Sequence, residues 1–295
     1  MTKTEGKVTR AVEKYLGYYR DHRSGKTVSH VKRTLTGFAA YLQASNTSFC
    51  NLSIDQVDQF LTFHNKGYAP GTCRINRSHV RSFLKYLYRH GDLKKDLGSL
   101  VVSPPEFARS RPPKFLRPYE ARKLFDSLDL SSAKDLRTNA AMHLAYYLGL
   151  RPKEISSLTL DDIAFRQKEI FIRSRKNFTP AHLPLPDHVI KAITAYIVGG
   201  RPPSEYRILF LHLNFPHNPV SRNNIPTLIR DCMRQKNLPA STYWLRHSYA
   251  QNLLESGASI YEIKEMMGHK NIGSTQKYLS VHINFMREVV LDEPL

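Results

Sequence analysis

Residues 241–280 read STYWLRHSYAQNLLESGASIYEIKEMMGHKNIGSTQKYLS. Apolar side chains at Leu245, Tyr249, Leu253 and Leu254 recur at helical spacing, and Ile260, Ile263 and Met267 repeat the pattern in a second, shorter helix. Gly268 suits the left-handed position that follows a helix C-terminus. The order is therefore helix, turn, helix, Gly-His turn, short polar segment, tyrosine. Three polar groups stand out against this apolar framework: Arg246 in the first helix, His269 after the glycine, and Tyr278 nine residues later.

Working back along the chain, a second glycine turn carries an arginine. Residues 136–149 form an apolar helix with Met142, Leu144, Ala145, Tyr146 and Leu148, and the chain continues Gly149-Leu150-Arg151-Pro152-Lys153-Glu154-Ile155. An arginine directly after an apolar helix and a glycine is poised at a turn and partly buried. On its own it reads equally as a structural ion-pair partner of Glu154. Further on, Leu160, Ile163, Ile170, Phe171 and Ile172 indicate short strands, and Ser174–Asn177 followed by His182–Leu185 reads as a β-hairpin. Residues 118–128, 187–198 and 222–236 form further helices; the last carries Arg222, Arg230, Arg234 and Lys236.

The N-terminal part is helical. Residues 7–20 turn Val8, Val12, Tyr15, Leu16 and Tyr19 inward, and residues 27–43 do the same with Val28, Val31, Leu35, Phe38, Ala39 and Leu42. Ser53 is placed to cap a third helix bearing Val57, Phe60 and Leu61. Residues 71–90 form a longer fourth helix with Val80, Phe83, Leu84 and Leu87 as its apolar stripe. Its other face carries Arg74, Arg77, Arg81, Lys85 and Arg89, suited to tracking phosphates or to a solvated surface. Residues 99–118 hold five prolines, and Pro104-Pro105 and Pro112-Pro113 exclude a helix there. Arg109, Arg111, Lys114 and Arg117 make this connector basic, suited to a strap that lets two domains grip a duplex or to an ordinary solvated linker.

The chain of 295 residues carries 44 Lys and Arg against 25 Asp and Glu. Within residues 1–105 the ratio is 17 to 7, so the excess is spread over the chain rather than gathered in a tail. A polyanion lying across both halves accounts for this most simply. Cys50, Cys73 and Cys232 are few and unpatterned, which points to a reducing cytoplasm and to no disulfide framework or zinc motif. No apolar run reaches the roughly 18 residues of a membrane span.

The C-terminal stretch resembles the tyrosine recombinases, the phage integrase and Xer family. The family's H-x-L-R-H, L-G-H and tyrosine correspond to Tyr243-Trp244-Leu245-Arg246-His247, Met267-Gly268-His269 and Tyr278. Its first arginine motif corresponds to Gly149-Leu150-Arg151 through Glu154, Ile155 and Leu158. The resemblance implies a mainly α fold with a small β-sheet in two domains. Residues 1–103 would be a helical DNA core-binding domain, 104–117 a basic Pro-rich linker, and 118–295 a mixed α/β catalytic domain with its C-terminal tail. It implies Arg151 and Arg246 as phosphate clamps, Lys176 on the hairpin turn as the acid for the leaving oxygen, His269 as a hydrogen-bond donor and Tyr278 as nucleophile. Arg175 stands beside Lys176. Tyr243 occupies the position where the family usually has histidine; three residues before Arg246, it would share that helical face, whereas His247 would point elsewhere.

The implied activity is site-specific DNA cutting and rejoining through a 3′-phosphotyrosyl link, with no metal, cofactor or ATP. The implied partners are double-stranded DNA bearing paired recombination sites, further subunits in a tetramer, and accessory recombinases. DNA contacts are expected from Arg74, Arg77, Arg81, Lys85, Arg109, Arg111, Arg175 and Arg222. A DNA-binding accessory protein with weakened catalysis and a topoisomerase-like relaxing enzyme are the alternatives, and the separate helical domain and short tail favour a recombinase. Ile283, Met286, Val289 and Val290 form an apolar stripe on that tail, expected to dock on a neighbouring subunit, the alternative being packing against its own domain.

Overall fold

The computed structural model describes residues 3–21, 25–102, 113–173, 180–238, 240–269, 271–276 and 278–279. The chain divides into two compact units, Met1–Ala108 and Arg109–Leu295. The first holds α1 (Lys3–Arg20), α2 (Gly25–Ala44), α3 (Ile54–His64), α4 (Pro70–Arg89) and a short α5 (Leu97–Leu100). Its core is the apolar stripe of α2 interleaved with that of α4: Val31, Leu35, Phe38 and Leu42 meet Val80, Phe83, Leu84 and Leu87, all fully buried. Ser53 closes a capping box with Gln56, each side chain bonding the other's backbone N–H, which fixes the start of α3.

The basic face of α4 is only partly turned to solvent. Arg81 donates from Nε and Nη2 to the Val101 carbonyl at 2.9 and 2.6 Å, and Arg77 donates to the Val102 carbonyl at 3.3 Å while facing Asp58 at 3.5 Å. These bonds hold the segment after α5 against α4. Gly98 makes the close approach possible, because a Cβ there would meet the Arg81 carbonyl at 2.8 Å. The short helix α5 thus reaches into the start of the Pro-rich stretch 99–118, which is not extended from its first residue.

The second unit contains α6 (Pro118–Asp126), α7 (Ala133–Tyr147), α8 (Pro152–Ser157), α9 (Asp187–Gly199), α10 (Asn224–Gln235), α11 (Thr242–Glu255), α12 (Ile260–Met266) and α13 (Gly273–Gln276). Between α8 and α9 lie three short antiparallel strands in the order β1 (Ile163–Ala164), β2 (Glu169–Ile172), β3 (Ala181–Pro184). Ile170 pairs with Leu183 and Ile172 with Ala181, so Ile170, Ile172 and Leu183 face the core. Leu160, read from the sequence as part of a strand, instead begins a 3-10 turn, Leu160–Asp162, whose Asp162 accepts from the Thr159 backbone.

Helix α7 organises this unit. Ala140, Ala141, Met142, Leu144 and Ala145 are fully buried, the mark of a helix covered on several sides, and α9, α10 and α11 pack around it. The segment before α6 is tied to α11: the buried Leu116 N–H donates to Ser248 Oγ at 2.8 Å, and the Lys114 ammonium lies 5.4 Å from the centre of the Trp244 ring. Arg109, Arg111, Arg175, Lys176 and the tail stripe at 283–290 lie outside the described residues.

Candidate active site

Two helix ends meet in the second unit. Helix α7 stops at Leu148 because Gly149 takes φ +59°, and α12 stops at Met267 because Gly268 takes the same φ. After α12 the Gly268 N–H returns to the Glu265 carbonyl and the His269 N–H to the Lys264 carbonyl, both at 2.9 Å. This double bond pattern is the glycine-terminated cap that sets His269 directly past the helix. At each end, carbonyls carry the partial negative charge of a helix C-terminus.

Both arginines anchor on those carbonyls. Arg246, 5% exposed, donates from Nη1 to the Gly149 carbonyl and from Nη2 to the Met267 carbonyl at 2.6 Å. Arg151 donates from Nη2 to the Gly268 carbonyl at 2.7 Å. Its Nη1 donates to Glu154 Oε1 and its backbone N–H to Glu154 Oε2, each at 2.7 Å. Glu154 is buried, and Arg151 both pairs with it and takes its place in the cluster. Burying these cations is tolerable because each is hydrogen-bonded to a carboxylate or to helix-end carbonyls.

Tyr278 reaches the same place from the other side. It is 1% exposed and packs with Ala250, Ile263 and Met267. Burial pushes its pKa up to about 12, against the pull of the Arg246 and Arg151 charges. Its hydroxyl lies 2.7 Å from His247 Nδ1. The expectation that His247 would point away from the site is thus corrected. Residues 246 and 247 do diverge around the helix, but Tyr278 packs against the side that His247 presents.

His269 connects the parts. Its Nε2 lies 3.3 Å from Arg246 Nη2, and its Nδ1 lies 2.8 Å from Thr275 Oγ1. A guanidinium has no lone pair, so Nε2 accepts and the neutral ring carries its proton on Nδ1, donated to Thr275. Thr275 is fully buried. To present an Nε2–H outward, His269 must gain a proton or change tautomer, and the threonine hydroxyl suits both states because it both donates and accepts.

The fold thus gathers Arg151, Arg246, His269 and Tyr278. Tyr243 lies one turn before Arg246 but is 56% exposed at the start of α11. Arg74 and Arg222 are exposed, and Lys85 is half-buried beside Gly98. His247 and Thr275 are members of the cluster that sequence reading did not assign. For Thr275, its spacing six residues after His269 was the available signal.

The sequence profile of the phage integrase family matches residues 114–284. The chain belongs to that family. This phage integrase family member is 28% identical over 267 residues to the tyrosine recombinase XerD of Listeria innocua, covering 88% of this chain and 89% of that protein. It is 29% identical over 255 residues to the tyrosine recombinase XerC of Bacillus licheniformis, covering 82% and 81%. Among solved structures it resembles the XerH site-specific recombinase bound to palindromic difH substrate in a post-cleavage complex. That match has a TM-score of 0.78 at 16% identity, over 95% of this chain and 83% of the other. A lambda integrase dimer bound to a COC′ core site matches at a TM-score of 0.73 and 13% identity, over 92% and 94%. At such identities these structures show the shared fold. The protein is a tyrosine recombinase, an enzyme of site-specific DNA recombination.

Proposed function

We propose that this recombinase cuts one DNA strand through Tyr278, holds the end as a 3′-phosphotyrosyl ester, and passes it to a second 5′ hydroxyl. The observation that carries this reading is the convergence of Arg151, Arg246 and His269 with Tyr278 at two glycine-capped helix ends. A phosphodiester resists attack because it is anionic and its leaving alkoxide is poor. Fixed cations offset the growing negative charge, and a guanidinium does so without losing its proton. Each guanidinium has five N–H donors, so anchoring by one edge is compatible with phosphate binding by another. Arg151 and Arg246 hold the nonbridging oxygens, His269 adds a further hydrogen bond, and exposed Tyr243 contacts the phosphate from the start of α11. Lys176 donates a proton to the departing 5′ oxygen.

The bond between phosphorus and the tyrosine oxygen replaces the one broken, so neither ATP nor a metal is required. Burial of Tyr278 keeps the nucleophile protonated and sheltered until a phosphate is present. Paired DNA sites and assembly as a tetramer belong to the same reading, supported by the spread of positive charge and by the apolar stripe in the tail sequence. Exposed Arg74 and Arg222 supply DNA backbone contacts, with Arg109, Arg111 and Arg175 from the connector and hairpin. Arg77 and Arg81 combine such contacts with holding the segment after α5, and half-buried Lys85 adds a further contact.

The test uses nicked duplexes drawn from the DNA flanking the gene, incubated in EDTA with the wild type and with Arg246→Lys. A denaturation-resistant adduct is expected from the wild type, formed about 10²-fold or more slowly by the variant, whose point charge lacks the guanidinium fork. Tight binding of these duplexes without any adduct would favour the accessory-protein reading instead.

A further inference from the structure

Tyr278 has to lose a proton as it attacks, and most of its charged neighbours cannot accept one. The guanidinium groups of Arg151 and Arg246 have donors and no acceptor lone pair. His269 has Nε2 turned to Arg246 and Nδ1 to Thr275. Tyr243 is a phenol like the nucleophile itself, so it is no better a proton acceptor than the group it would deprotonate, and it stands 56% exposed at the head of the helix. His247 differs on each count. Its Nδ1 is 2.7 Å from the Tyr278 hydroxyl, within the reach expected of a base. An imidazole, with a reference pKa of about 6.5, offers a lone pair at neutral pH.

The placement follows from helix geometry. Successive residues on α11 are turned by about 100°. Arg246 therefore faces the two glycine turns, while His247 lies in line with Ala250, which packs in one cluster with Ile263, Met267 and Tyr278. One turn of helix thus offers a phosphate clamp on one side and a proton acceptor on the next.

We propose that His247 is the general base for Tyr278, a catalytic role that rests on the phosphotyrosyl reaction proposed above. As the tyrosine oxygen bonds to phosphorus, its proton passes to His247 Nδ1, with the ring in the Nε2–H tautomer. The bond from phosphorus to the 5′ oxygen breaks, and that oxygen takes a separate proton from Lys176. On rejoining, the incoming 5′ hydroxyl gives its proton to the now neutral Lys176 as its oxygen displaces Tyr278, and the imidazolium returns its proton to the departing phenolate. Acceptor and donor are thus distinct groups, and each ends the cycle as it began.

The experiment measures single-turnover adduct formation by the full chain, on a nicked duplex that traps the wild type. The comparison is among wild type, His247→Ala and His247→Gln, each with and without added imidazole. Both variants should be slower by about 10²–10⁴-fold, with DNA affinity within a few-fold of wild type. Glutamine can accept the hydrogen bond but cannot hold the proton, so it should not rescue. Imidazole in solution should accelerate His247→Ala saturably and leave the wild type unchanged. Near-wild-type speed in His247→Gln would overturn the proposal and reduce His247 to a positioning residue. So would a slow His247→Ala that imidazole fails to accelerate. Failure of the wild type itself to form any adduct would sink the phosphotyrosyl reaction, and this inference with it.

Discussion

Replacing Gly149 with alanine should cost the catalytic unit about 2–4 kcal/mol. Two separable effects contribute. At φ +59° any β-carbon costs about 1 kcal/mol or somewhat more. The added Cβ would also lie 2.3 Å from Tyr249 Cδ1 and 2.9 Å from Cε1, closer than atoms can approach. The ring must withdraw, and forcing extra volume into a packed site costs about 1–3 kcal/mol. Tyr249 belongs to α11, which carries Arg246, and Arg246 bonds the Gly149 carbonyl. The substitution should therefore slow strand cleavage as well as weaken the fold. Gly257→Ala is the control: its φ is +90°, but nothing lies within 4 Å of the added carbon, so strain acts alone. Trp244, the one tryptophan of the chain, sits in α11, so urea unfolding followed by its fluorescence reports on the catalytic unit. The Gly149 variant should lose at least about 1 kcal/mol more than the Gly257 variant. Equal losses would refute the argument that close approach to Tyr249, beyond backbone conformation, requires glycine there.

Three further outcomes are expected. Arg151→Ala strands the buried Glu154 carboxylate and should destabilise by about 3–5 kcal/mol; Arg151→Ala combined with Glu154→Gln should recover part of that loss in the same unfolding assay, and no recovery would argue against a stranded charge. Thr275→Val removes the hydroxyl facing His269 Nδ1 and should slow adduct formation about tenfold or more, whereas Thr275→Ser should not; equal rates for the two would contradict a tautomer-setting role. The pKa of Tyr278 is raised to about 12, above the unfolded value near 10, so its stabilising contribution is complete below pH 10 and lost as pH rises through 12. Wild-type stability should accordingly fall more steeply than that of Tyr278→Phe across that interval, which urea midpoints at several pH values will measure.

Much of this site was legible because its frame is local. A glycine that ends a helix is visible in sequence, and the two that matter, Gly149 and Gly268, both adopt positive φ. The apolar stripes of α2 and α4 matched the buried residues, since helical periodicity needs only neighbours along the chain. What sequence could not supply was the contact of His247 with Tyr278. That contact joins residues 31 positions apart, a long-range packing outcome that residue spacing within one helix does not encode. The partial engagement of Arg77 and Arg81 was hidden for the same reason: their acceptors, the Val102 and Val101 carbonyls, lie over 20 residues away in sequence or close to it. Tyr243 shows the limit of face counting. It has the right spacing from Arg246, yet it sits at the helix start and is 56% exposed.

The most direct test of the central claim is to map the covalent bond. The wild type would be incubated in EDTA with a nicked duplex, denatured and digested with nuclease and trypsin, and the nucleotide-bearing peptide located by mass spectrometry. A 3′-linked nucleotide on Tyr278, absent from Tyr278→Phe, with a free 5′ hydroxyl on the released strand, is the predicted result. A nucleotide on Tyr243 or any other side chain would contradict the account.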